Sequence, residues 1–233
     1  MTFDREEFDE PFDVLREIAE HTLGGLGFYI QALEQLVDDR ESIAVDSLRE
    51  RFIKLAPERQ TDFWEWNFPF HWDETVRTRL RSSFVVTLVS FAELEARGIA
   101  RQIEYITESQ LRPMDLRGGE LERCRKYLGV VGGFQCKGPD VWSLLFEIRD
   151  IRNCLVHADG RMWEMSRRDR MRQLADNLPG FTLSSMETIE IGPEFPIYVL
   201  GLIKDFTAWL YDEALGFVAR SAAQQVYRAE GAR

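Results

Sequence analysis

The residues best equipped for chemistry are Arg152-Asn153-Cys154-Leu155-Val156-His157, followed by Ala158-Asp159-Gly160. The string holds one of only three histidines in the chain. An arginine grips a phosphate oxygen through a planar fork of donors. A histidine exchanges a proton near neutral pH. An asparagine can orient either one. Together they suit the handling of a phosphodiester. The same string also reads as a helix end, with a salt-bridged Arg152 and a His157 placed against the negative end of the helix dipole.

The element that must position these groups is helical. Leu144, Leu145, Ile148, Ile151 and Leu155 recur at three- and four-residue steps, an apolar stripe that must face a core. Pro139 and Asp140 read as its start and Gly160 as its stop. Asp150, Asn153 and His157 share the polar face. Arg152 and His157 are five residues apart, which splays them by ~140° on a regular helix. Either the helix loosens before His157, or a second copy of the chain completes the site.

The motif resembles the hallmark of the HEPN domains: Arg, a polar residue, then His near the end of a late helix. Arg152, Asn153 and His157 match it residue by residue. Ser90-Phe91-Ala92-Glu93-Leu94-Glu95 looks like the Glu-bearing early helix of many such domains, and Phe181 to Ile191 with the apolar helix after it resembles the tail of bacterial members. The resemblance spans residues 75 to 220. It implies an all-α bundle that dimerises and brings two motifs together. It further implies a metal-independent ribonuclease in a toxin–antitoxin or phage-defence setting, or a relative that only binds nucleotide or a partner. On that reading Arg152, His157 and Asn153 are catalytic, with Glu95 and Asp150 in support. RNA, a second copy and an antitoxin or defence protein are the expected partners.

Composition sets bounds. The 233 residues suit one large domain or a domain with an extension. The layout expected is an acidic helical extension over 1–73, a helical domain over 74–222 and a frayed tail over 223–233. No apolar run approaches the ~20 residues that span a bilayer. The acidic start, Met1-Thr2-Phe3-Asp4-Arg5-Glu6-Glu7, lacks the layout of a signal peptide, so a cytoplasmic protein is expected. Cys124, Cys136 and Cys154 have no paired spacing, which disfavours a disulfide framework. With His21, His71 and His157 far apart, no zinc site is expected. Nor is a cofactor: the glycines over 129–138 are followed by no Lys-Ser/Thr and preceded by no strand, so they do not read as a phosphate loop.

The net charge of −11 is unevenly spread. Residues 1–50 hold 14 acids and 4 bases, and the remainder 26 acids and 25 bases. Just beyond the motif stand Arg161, Arg167, Arg168, Arg170 and Arg172, interrupted by Glu164 and Asp169. The run reads either as a grip on RNA phosphates or as a solvated face with internal ion pairs.

The remaining elements follow from periodicity. Helices are expected over 11–38 and 43–56, over 74–107, over 120–128, over 163–177 and from Pro193 onward, with a small hairpin near Thr182, Ile189 and Ile191. Gly24, Gly25 and Gly27 either admit a close helix or mark a kink. Residues 63–72, rich in Trp and Phe, read as a packed knot rather than a base-stacking platform, since they carry no Lys or Arg; a dimer surface is a third reading. Glu95 lies beside the apolar stripe of its helix and needs a partner if buried; Arg152 or Arg149 is the one expected.

Overall fold

The computed structural model describes residues 11–67, 72–135, 141–164 and 168–231. Within them the architecture is all-α, with eight α-helices and one two-stranded hairpin. The first helix, α1 (Phe12–Ile53), starts at Pro11, whose extended backbone sets the entry. It runs unbroken through the polar stretch 38–42, where the sequence suggested an interruption. The charges there have work to do: Asp38 and Glu41 both accept hydrogen bonds from Arg77 (2.7 and 2.6 Å). Short helices α2 (Pro57–Gln60) and α3 (Phe63–Asn67) follow. Phe63 is buried there and packs on Phe52 and Trp64, with centroids 5.6 and 5.3 Å away. The start of the aromatic segment is therefore a knot against the end of α1; Phe68 to His71 lie outside the described residues.

A π-helical turn, Trp72–Arg77, leads into α4 (Thr78–Thr107), the central helix. Its buried side carries Val85, Leu88, Val89, Ala92, Ala96, Ile99, Ala100 and Ile103. The three alanines at four-residue steps let neighbours approach closely. Helices α5 (Glu120–Val130), α6 (Val141–His157) and α8 (Glu194–Gly231) all pack on α4, and α1 packs on α8. Arg81 fastens α4 to two neighbours: its fork meets both oxygens of Glu34 on α1 (2.7 and 3.0 Å) and donates to the Ile191 carbonyl (3.1 Å). The α6–α8 contact centres on Trp142, buried edge-on against Phe206 (4.9 Å) and Trp209 (5.8 Å). Helix α8 continues to Gly231, through the stretch expected to fray.

Between α6 and α8 lie α7 (Arg168–Ala175) and the hairpin, β1 (Phe181–Leu183) antiparallel to β2 (Ile189–Ile191). Phe181, Ile189 and Ile191 point to the core and Thr182 and Glu190 outward, the alternation that a half-buried pair requires. Gly180 opens the hairpin at φ +66°, and a Cβ there would stand 2.7 Å from the Phe195 nitrogen, so only glycine fits.

Candidate functional site

Helix α6 presents the motif. Trp142, Leu145, Ile148, Ile151 and Cys154 are its buried side. The helix stays regular through His157. The amides of Ala158 and Gly160 both donate to the Cys154 carbonyl (3.0 and 3.1 Å), and Gly160 takes φ +77°, a helix-terminating geometry. The chain then joins the hairpin: the Ile189 amide donates to the Gly160 carbonyl (2.9 Å) and Met162 to Glu187 (3.0 Å). The hairpin thus fixes the end of α6 and, with it, His157. The helix does not loosen, so Arg152 and His157 keep their ~140° splay within one chain.

Arg152 is held on the α4 side. It donates to Glu93 Oε2 (2.5 Å) and to Asn153 Oδ1 (3.0 Å). Its side chain is only 17% exposed and that of Glu93 23%. Asn153 therefore orients the arginine. His157 is exposed, and among the described residues nothing hydrogen-bonds its imidazole.

The expected pairing of Glu95 with Arg152 or Arg149 is corrected. Two helical steps rotate a side chain by ~200°. Glu93 consequently faces α6, and Glu95 faces α8, where Tyr211 Oη donates to it (2.6 Å). Burial pushes the Glu95 carboxyl up from its ordinary range, against the lowering effect of the Tyr211 hydroxyl. Arg149 instead binds Glu122 on α5 (2.8 Å) and the adjacent Asp150 (3.2 Å), with its guanidinium over the Phe146 ring (5.0 Å). Burial opposes ionisation of Glu122, yet the hydrogen bond and charge of Arg149 hold its carboxyl below the ordinary range.

The basic run is internally paired. Arg170 meets Glu147, Arg172 meets Asp169 (2.8 Å) and Glu187, Arg161 stands 3.8 Å from Asp159, and Arg168 donates to the Trp163 carbonyl. Arg167 lies outside the described residues. The geometry thus follows the ion-paired reading, with the guanidinium groups still at the surface.

One feature went unseen in the sequence. Asp159, at φ +52°, accepts from Arg79 Nη1 (2.6 Å), and Arg79 holds its carboxyl below the ordinary range. The pair borders a cleft of about 180 Å³ beside the end of α6, lined also by Thr78, Ser82, Leu155 and Ile189. Neither Arg152 nor His157 lines it. Nothing in the spacing of Arg79 and Asp159 signals their meeting, because the α4 start and the α6 end are joined only by the fold.

Cys124 and Cys154 are buried thiols, and burial pushes the Cys124 thiol up to about 11. Cys136 lies outside the described residues. Among the described residues, no three His, Cys, Asp or Glu side chains converge on a metal position, and no helix is long and apolar enough to cross a membrane. Comparison of the chain with family models, with curated proteins and with solved structures finds no match.

Proposed function

We propose that the chain is a metal-independent endoribonuclease of HEPN type, with its site formed between two copies. The observation that carries this reading is an exposed imidazole, without a hydrogen-bond partner among the described residues, on the same helix as an arginine held by Glu93 and Asn153. One His157 removes the proton from a ribose 2′-hydroxyl as its oxygen attacks phosphorus. A second His157 protonates the departing 5′-oxygen. Arg152 neutralises charge growing on the phosphate. The products are a 2′,3′-cyclic phosphate and a 5′-hydroxyl. In a toxin or phage-defence role, in the cytoplasm, the protein expressed alone harms its host and the His157→Ala variant is tolerated.

The test is incubation of purified protein with mixed RNAs in EDTA. His157→Ala and Arg152→Ala should each lower cleavage by at least a hundredfold. An equimolar mixture of the two variants should stay far below the native rate, because each mixed dimer holds a single His157 and the reaction uses two. Cleavage that survives both substitutions removes the assignment. A second reading, a non-catalytic module that binds a nucleotide or a protein partner, draws on the neutralisation of Arg152 by Glu93. It predicts RNA or nucleotide binding without cleavage, lost on Arg152→Ala and indifferent to His157→Ala.

A further inference from the structure

Helix α1 has a second, largely exposed apolar face, whose edge residue Tyr29 also packs on Phe84 of α4 with ring centroids 5.3 Å apart. Ile18, Gly25, Tyr29, Ala32, Leu36 and Ile43 fall within a ~60° sector at 100° per residue. The four large ones are between 49% and 62% exposed, and a Cβ added at Gly25 meets nothing within 4 Å. Gly27, by contrast, already faces a neighbour, with Leu200 3.1 Å from a Cβ built there. The glycine cluster thus serves two faces, and only one of them is covered within the chain. The steps along the open face, with Thr22 and Asp39 included, alternate three and four residues, the pattern of a two-helix seam.

We infer that this face is an interface for a second copy of the chain, with the two α1 helices antiparallel about a two-fold axis between residues 30 and 31. In that register every bulky residue meets a complementary one. Tyr29 stands over the other copy's Ala32, Leu36 over its Gly25, and Ile43 over its Ile18. The polar positions also agree: Thr22 meets Asp39, and His21 beside it offers a ring N–H to the same carboxylate. Each such pairing occurs twice, as an isologous contact requires. Charge separates this occupant from others. The helix is acidic, yet Glu17, Glu20, Glu34, Asp38 and Glu41 are all kept off this face, and the last three bind Arg81 and Arg77 on the far side. A basic partner would find only Asp39 on the stripe. A copy of the same helix meets no row of like charge. The paired length is ~38 Å from Ile18 to Ile43. The association does not rest on the ribonuclease reading.

Sedimentation of the full chain at micromolar concentration is the test, with Gly25→Lys and Leu36→Lys beside the native protein. Both positions are open in the single chain, and lysine is a better helix former than glycine. Gly25→Lys should therefore keep the helical circular-dichroism signal. The native chain should sediment at twice 27.2 kDa, and each variant should associate at least tenfold more weakly. A monomeric native chain overturns the proposal. So does a dimer that both lysines leave intact, which would place the contact on another face. Loss of helical signal in Gly25→Lys overturns it as well, by showing that the face is packed within its own chain.

Discussion

The two sides of α4 handle a carboxylate in opposite ways. Toward α5 and α6, Glu93 and Glu122 each meet an arginine, and the seam is a partly wet network of charges. Toward α8 the seam is largely apolar, and its carboxylate Glu95 accepts from a tyrosine hydroxyl rather than from an arginine among the described residues. The first seam gains from ionisation and the second is burdened by it. On the proposed ribonuclease reading, the difference separates groups that a substrate phosphate could recruit from groups that hold the bundle together. Arg152 belongs to the first set, since a phosphate can compete with Glu93 for it. Tyr211 and Glu95 belong to the second.

The largest expected effect lies where α8 leaves α4 and takes up α6. Trp142→Ala empties the space between Phe206 and Trp209 and should cost about 3–5 kcal/mol in urea denaturation. Next comes the charged seam. Glu93→Ala leaves Arg152 with Asn153 alone, at about 2–3 kcal/mol, below the cost for a fully buried pair because both side chains retain some water. If the two seams were alike, Tyr211→Phe would match it. The loss should instead be about 1–2 kcal/mol, the worth of one hydrogen bond.

The pH dependence sharpens the contrast. The Glu95 carboxyl is raised in the fold, so its contribution is fully present below the unfolded value near pH ~4.3 and is lost as pH rises through the folded value. Glu95→Gln, whose carbonyl still accepts from Tyr211, should match the native chain at about pH 4 and exceed it in Tm at pH 7. The Glu122 carboxyl is depressed, so its contribution is present above the unfolded value near pH ~4.3 and lost as pH falls through the folded one. Glu122→Gln should therefore lower Tm at pH 7 and lose that deficit in acid. Tm profiles of the same sign for both variants would erase the distinction between the seams.

Legibility in the sequence followed the same division. Apolar periodicity read out α4, α6, α8 and the hairpin, because each buries a regular stripe or alternation. Charge pairing was opaque. Glu93 and Glu95 sit in one hexapeptide, and proximity to the apolar stripe favoured the wrong one; only the rotation of α4 against α6 decides which meets Arg152. The break expected near residue 40 failed for a related reason. A cluster such as Asp38-Asp39-Arg40-Glu41 reads as a loop until Arg77, 36 residues beyond Glu41, supplies its partner. The regular end of α6 likewise depends on a hairpin about 30 residues further on.

The smallest effect tests the end of α6, where the two kinds of interaction meet at one residue. Asp159 is held at φ +52°, a region costly to side chains, and its carboxylate pairs with Arg79. The pair is exposed, 66% on the arginine and 48% on the aspartate, so it contributes at most about 1 kcal/mol and falls with salt. Asp159→Gly loses the pair and gains freedom from the strain, since glycine enters that region without a steric penalty. Asp159→Ala loses the pair and retains the strain, which aspartate eases through local hydrogen bonding and alanine does not. Glycine should therefore lie within about 0.5 kcal/mol of the native chain, and alanine about 1 kcal/mol below glycine. High salt should narrow the gap between native and glycine and leave the gap between glycine and alanine unchanged. Equal stability of the two variants would show that the backbone at Asp159 relaxes, and that the Arg79 ion pair, not the chain's own turn, sets the conformation beyond His157.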